Sequence, residues 1–454
     1  MVLMGFDEVK IMLKRKILNK LESWRHKGEN KCLIVEGARQ VGKTYIVREF
    51  GKQYKSFIEI NFIENPSLKN IFTGDLDPDT IMTGIGLYMP GAEFINGDTL
   101  LFLDEIQECD QAITSLKFLA QDHRFSVICS GSALGMVYKP NSSYPVGSVD
   151  YAYMQPLDFE EFLWALGISD DIITNIRKYL EERSFEKIPA AINDRMSDLL
   201  RQYMVLGGMP EVIQCFVDKH DYMSCDTIQR RLYQDYLNDI ARYAAPDVKI
   251  KAEKCYKSIP MQLSKANHKY QYSKVEHGGN TAKFGSSVDW LINAHMAIVV
   301  NNVSIPEYPL EGFTIDNNFR LYPNDIGFLI CTYGYEIKAA ILADKTIEKK
   351  PDDLVLGTAK GGIYEALAAE MLTKSGHRNL HFYKSETGTI EMEFLIEGQD
   401  GIIPIEIKAG RNKSRSLSEL LKNNKIKYGY KFSSQNAGIA GKKITLPLWL
   451  LAFL

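Results

Sequence analysis

Three places in this chain bring together residue types that could do chemistry. The first is "GARQVGKT", residues 37–44, where Gly37 and Gly42 bracket Ala38, Arg39, Gln40 and Val41, with Lys43 and Thr44 following. Glycines at this spacing let a backbone turn its N–H groups inward, where they could cradle phosphate oxygens. Lys43 is then placed to reach the β- and γ-phosphates of ATP, and the Thr44 hydroxyl to ligate Mg2+. The second is "LLFLDEIQ", an apolar run ending in Asp104 and Glu105. Asp104 could hold the same cation through water while Glu105 orients or polarises an attacking water. The third is "TIEMEFLIEGQDGIIPIEIKAG", residues 389–410, with Glu393, Glu406 and Lys408, preceded by Glu365 in "GGIYEALAAEML". Alternation along a strand puts Glu406 and Lys408 on one face. Carboxylates that hold Mg2+ beside a lysine that steadies the attacking water suit phosphodiester cleavage. A solvated sheet face would carry the same residues.

The elements around these places are legible from the apolar pattern. "KCLIVEG" reads as a short strand before the glycine loop, and the residues after Lys43 as a helix. "SFIEINF", "TLLFLDEIQ" and "FSVICSGS" read as further apolar strands with helical stretches between them. Such alternation implies a mainly parallel, covered sheet. The strand "VICSGS" ends in hydroxyls at Ser130 and Ser132, either of which could sense a γ-phosphate or cap the next turn. Residues 7–29 have helical spacing (Val9, Met12, Leu13, Ile17, Leu21). From about 155 the chain is mostly helical, broken at Gly207, Gly208 and Pro210. "SSVDWLINAHMAIVVNNV" runs from helix into strand like the end of a winged helix. Residues 301–360 are richer in turns, and the closing "ITLPLWLLAFL" reads as a buried strand.

At 454 residues the chain calls for two or three domains. Its net charge of −3 exerts no global pull on nucleic acid or membrane, so any such attraction must be local. Seven cysteines without zinc or disulfide spacing fit a reducing cytoplasm. No run reaches the roughly 20 apolar residues of a membrane helix, and no secretory signal is seen at the start. Two basic stretches could meet double-stranded DNA: Lys265, His268, Lys269, Lys274 and Lys283, and then Arg411, Lys413, Arg415, Lys422, Lys425 and Lys427. Solvated surfaces and protein-contact modules carry such lysines too.

Taken together, "GARQVGKT", "LFLDEIQ", "SGSALG", "YPVGSVDYAYMQPLDFEEFLWALG" and "VLGGMPEVI" resemble prokaryotic AAA-superfamily ATPases with an attached C-terminal domain of unknown function. The resemblance implies an α/β chain: an AAA-type P-loop NTPase core on a parallel sheet, a helical and winged-helix middle region, and a C-terminal restriction-endonuclease-like domain. The expected divisions are 1–165, 166–245, 246–335 and 336–454. The resemblance assigns Lys43, Thr44, Asp104, Glu105 and Ser132 to the nucleotide site, Asp104–Glu105 being a Walker B segment. Ser148 stands where the family usually has a basic residue. Glu406-x-Lys408 resembles the second half of the PD-(D/E)xK nuclease pattern, with Glu393 where aspartate is usual. Two functions follow as expectations. In the first, an ATPase regulates a DNA-binding, DNA-cleaving C-terminal half. In the second, an ATP-dependent switch or scaffold binds a protein partner and its nuclease fold is inert. Either could act as an oligomer.

Overall fold

The computed structural model describes residues 13–27, 31–132, 145–181, 186–343, 356–409 and 415–454. Val9, Met12, Arg411 and Lys413 lie outside them, as does the second half of "SGSALG".

Five strands form the first sheet: β1 (Cys32–Gly37), β2 (Ser56–Asn61), β3 (Thr99–Asp104), β4 (Ser126–Ser132) and β5 (Val149–Tyr153). Their order is β2-β3-β4-β1-β5, and every neighbouring pair is parallel. All six residues of β3 are buried, as a strand covered on both faces requires. Alternation divides the sheet between two cores. Leu33, Val35, Leu100 and Phe102 join one apolar cluster, and Ile34, Leu101 and Leu103 join the other. Because β4 lies between β1 and β3, the glycine loop after β1 and the acid at the end of β3 face each other across one strand.

The helices Ala190–Leu206 and Pro210–Lys219 flank the Gly207-Gly208 break, with proline at the first turn of the second helix. A Cβ on Gly208 would lie 2.0 Å from the Leu157 carbonyl oxygen, and one on Gly207 2.1 Å from an Asp325 carboxylate oxygen. The glycines are thus required by close approach. The long helix Tyr222–Tyr243 follows, then Pro246–Leu263 and Thr281–Asn293.

The second sheet has eight strands: β6 (Ala297–Val303), β7 (Thr314–Pro323), β8 (Leu380–Lys384), β9 (Glu391–Gly398), β10 (Gly401–Ile407), β11 (Gly429–Ser433), β12 (Gly438–Ala440) and β13 (Lys443–Pro447). Their order is β12-β13-β11-β10-β9-β8-β6-β7. The hairpin β6–β7, which lies inside the expected winged-helix unit 246–335, pairs through β6 in parallel with β8. The expected boundary at 335/336 therefore crosses a continuous sheet. The stretch 301–360, expected to be rich in turns, contains β7 and the helices Ile326–Tyr333 and Tyr335–Ala343. The C-terminal run is strand only to Pro447, then a 3-10 helix, Leu448–Phe453, whose Trp449 donates Nε1–H to Asn193 at 3.0 Å. Among the described residues no single helix is long and apolar enough to cross a membrane.

Candidate functional site

The loop after β1 is shaped by close contacts and left-handed backbone. A Cβ on Gly37 would sit 2.1 Å from the Met154 carbonyl oxygen, so only glycine fits. Gln40 has φ 60° and Gly42 φ 94°. A left-handed non-glycine residue costs on the order of 1 kcal/mol and needs support from its surroundings. The helix Lys43–Gly51 starts where the loop ends, so its positive end faces the loop.

Lys43 lies beneath the loop and donates to the carbonyls of Gly37 (3.0 Å) and Ala38 (2.8 Å). Burial lowers its pKa to about 8, although Glu105 and Asp104 pull the other way. Thr44 donates its hydroxyl to Asp104 Oδ2 at 3.0 Å, and Asn61 donates Nδ2–H to the same oxygen at 3.0 Å. Asp104 Oδ1 accepts from the Ser130 hydroxyl and from the Glu105 backbone N–H. Burial pushes the Asp104 pKa up, against the hydrogen bonds from Ser130 and Thr44. A carboxylate whose charge is disfavoured by burial gains from a nearby cation. The hydroxyl of Thr44 beside this carboxylate is a hard oxygen pair of the kind Mg2+ takes, so the residues fit that ion. Glu105 sits next to it in a left-handed turn, φ 54°, with Gln107 donating to its carboxylate.

Of the two serines on β4, Ser130 reaches Asp104. Ser132 is paired opposite Gly37 in the backbone register, and its side chain is outside the described residues. Several neighbours of the loop have no local sequence signal. Arg15 donates to the Val41 carbonyl at 2.9 Å and to the Gln155 carbonyl at 2.5 Å. Arg39 Nη1 donates to Asp239 Oδ1 at 2.6 Å and Nη2 to the Tyr243 hydroxyl at 3.0 Å.

The third place also assembles, with Glu365, Glu393 and Glu406 buried and not on a solvated sheet face. Glu365 Oε2 accepts from Arg320 Nη1 (2.9 Å) and the Tyr322 hydroxyl (3.0 Å), and lies 2.9 Å from His268 Nδ1. Burial opposes the charge on Glu365, but Arg320 and His268 outweigh it and hold its pKa at about 2. Lys408 donates to Glu393 Oε1 at 2.7 Å and stands 3.6 Å from Glu406 Oε1. Burial pushes Glu393 up to about 7 in spite of Lys408, and the nearby charges of Glu365 and Glu406 add to the shift. Glu393 Oε2 and Glu406 Oε2 are buried with no hydrogen-bond partner.

The carboxylates expected to hold magnesium, Glu365, Glu393 and Glu406, are each met by a cation of the chain. Arg320, which also binds Glu391, meets Glu365, and Lys408 bridges the other two. Among the described residues no group of three or more His, Cys, Asp and Glu could hold a metal ion. The basic stretches are partly neutralised as well. Lys283 pairs with Glu276, Lys422 with Glu419, Lys425 with Glu307 and Lys427 with Asp400, while His268 is buried against Glu365.

A parallel sheet with a phosphate-type loop after β1, and a buried acid one strand away, defines a P-loop nucleotide-binding fold. Residues 29–163 match the family model described as an AAA domain, so this part of the chain is a P-loop domain of AAA type. Residues 197–337 and 360–451 match two families described as domains of unknown function, DUF8612 and DUF4143. Strands β6 and β7 fall in the first and β8–β13 in the second, so two sequence families build one sheet. A Walker-type ATPase of Pyrococcus abyssi is 12% identical, with a TM-score of 0.43, over 72% of this chain and 96% of that one. The Orc1 protein of Aeropyrum pernix, solved in complex with DNA, is 12% identical with a TM-score of 0.28, over 69% and 90%. Cdc6p of Pyrobaculum aerophilum is 12% identical with a TM-score of 0.27, over 74% and 96%. The search of curated proteins gave no match.

Proposed function

We propose that the chain is a Mg-ATP-dependent switch with ATPase activity, whose nucleotide state is passed to its C-terminal half. The observation that carries this reading is the contact of Thr44 with Asp104 beside the buried Lys43. In this reading the loop N–H groups of residues 38–44 bind the phosphates and Lys43 balances their charge. Thr44 and Asp104 hold Mg2+, which when bound neutralises phosphate charge. Glu105 orients and polarises the attacking water. Glu105→Gln should keep Mg-ATP binding and lose hydrolysis, while Lys43→Ala should lose binding. A Lys43→Ala chain that binds Mg-ATP as tightly as wild type would sink the assignment.

For the C-terminal half, the three side chains held on Glu365 Oε2 and the paired lysines support an inert acid–lysine centre in a module that binds a protein partner. Cleavage of double-stranded DNA is the weaker reading. Incubation with Mg2+ or Mn2+ and DNA decides between them, since cleavage that Lys408→Ala abolishes would restore the nuclease. DNA binding that weakens steeply with salt would restore a nucleic-acid role. Seven free, buried cysteines support a cytoplasmic setting.

A further inference from the structure

Motif chemistry accounts for the glycines, the lysine and the threonine of the loop, but it does not need the side chains of Arg39 and Gln40. Both nevertheless leave the loop toward the same helix, Tyr222–Tyr243. Arg39 meets Asp239 and Tyr243, Gln40 Nε2 donates to Asp235 at 3.1 Å, and the Tyr236 hydroxyl donates to the Arg39 carbonyl at 3.2 Å. Positions 235, 236, 239 and 243 share one face of that helix. The Asp239 side chain is only 9% exposed. A buried carboxylate of this kind depends on its cationic partner, because removing the partner leaves an uncompensated charge.

The helix is in turn fixed to the rest of the chain. Tyr236 packs edge-on against Phe328 at 4.7 Å, and Tyr233 stacks on Tyr256 of the helix Pro246–Leu263 at 5.7 Å. That helix abuts the helix Ala359–Lys374 so closely that a Cβ on Gly362 would lie 2.1 Å from the Leu263 carbonyl oxygen. Glu365 follows less than one turn later.

We infer that Asp239 is a positioning residue for the phosphate loop. Acting through Arg39, it braces the loop on the helix Tyr222–Tyr243, so that nucleotide binding and the packing of that helix form one coupled equilibrium. The inference rests on the nucleotide reading above. Coupling of this kind is reciprocal: what steadies the loop for a phosphate also steadies the helix. The left-handed Gln40 is where such bracing matters most, because its backbone is strained without support.

The test uses the full chain. Mg-ATP affinity is measured by calorimetry for wild type, Arg39→Ala, Asp239→Asn and the double variant, with thermal melts alongside. Arg39→Lys and Tyr243→Phe serve as milder variants should either single change fail to fold. Each of Arg39→Ala and Asp239→Asn should weaken binding about tenfold, and the double variant no further, because both remove one interaction. Arg39→Lys should restore part of the loss. Hydrogen exchange should show residues 222–243 slowed by Mg-ATP in wild type and unaffected in Asp239→Asn. If wild type binds Mg-ATP but these variants bind within twofold of it and exchange in 222–243 ignores nucleotide, the brace is overturned and the nucleotide reading stands. If wild type binds no Mg-ATP, both fall.

Discussion

Raising the pH from 7 to 9 should weaken Mg-ATP binding about tenfold, through Lys43. Burial takes the pKa of this lysine from 10.5 to about 8, with Glu105 and Asp104 only partly compensating. That change disfavours the protonated amine by about 3 kcal/mol. Phosphate oxygens beside the amine would raise its pKa again, so binding above pH 8 must take up a proton. Affinity is then flat below pH 8 and falls by up to tenfold per pH unit above it. A phosphate's own last proton leaves near pH 6, below this window. The free chain responds oppositely. Its folded state binds fewer protons than the unfolded chain between about 8 and 10.5, so its stability rises with pH there. Calorimetry at pH 7, 8 and 9 in buffers of different ionisation heat reads both affinity and proton uptake. Lys43→Arg should flatten the profile, since guanidinium stays charged throughout. Equal affinity at pH 7 and 9 with no proton uptake would refute the reasoning.

Three further outcomes concern stability. Gly208→Ala should cost about 3 kcal/mol, because its Cβ meets backbone at 2.0 Å and the Leu157 N–H bond to the Gly208 carbonyl is put at risk. Gly86→Ala, in the helix Pro78–Tyr88 with open space around it, should instead stabilise by about 0.5 kcal/mol, and denaturant melts that rank the two alike would count against the packing. Glu393 has a raised folded pKa, so its contribution is intact below about 4.5 and is lost as pH rises through about 7. Glu393→Gln should therefore gain on wild type by about 3 kcal/mol between pH 4 and pH 8, and parallel melting curves at the two pH values would discard the assignment.

What was legible in the sequence was local. The loop "GARQVGKT" carries its own instructions, since glycines, strand and helix are adjacent, and Asp104 announces itself as the end of a buried strand. The partners that complete these groups come from far away. Asp239 is 200 residues from Arg39, and His268 and Arg320 are 97 and 45 residues from Glu365. No spacing rule joins them, so Glu365 reads from sequence as a free carboxylate although three side chains claim one of its oxygens. The basic stretches mislead for a similar reason: composition shows the lysines and hides the acids that pair with them. Ser130 and Ser132 are two apart on one strand, and the hydrogen bond of Ser130 to Asp104 has no signature in the local sequence.

The eight-stranded sheet has a consequence for how the chain is made. Strands β6 and β7 leave the ribosome as a hairpin whose inner edge has no partner until β8 begins at Leu380, about 57 residues after β7 ends at Pro323. At roughly 5–20 residues per second that edge waits for several seconds with its backbone groups unpaired. The first sheet is complete by Tyr153, before any strand of the second has been made. Synthesis therefore passes through an interval in which a finished N-terminal fold trails an open, apolar strand edge. In that interval the open edge is a template for pairing with another chain, and a chaperone that covers it prevents aggregation.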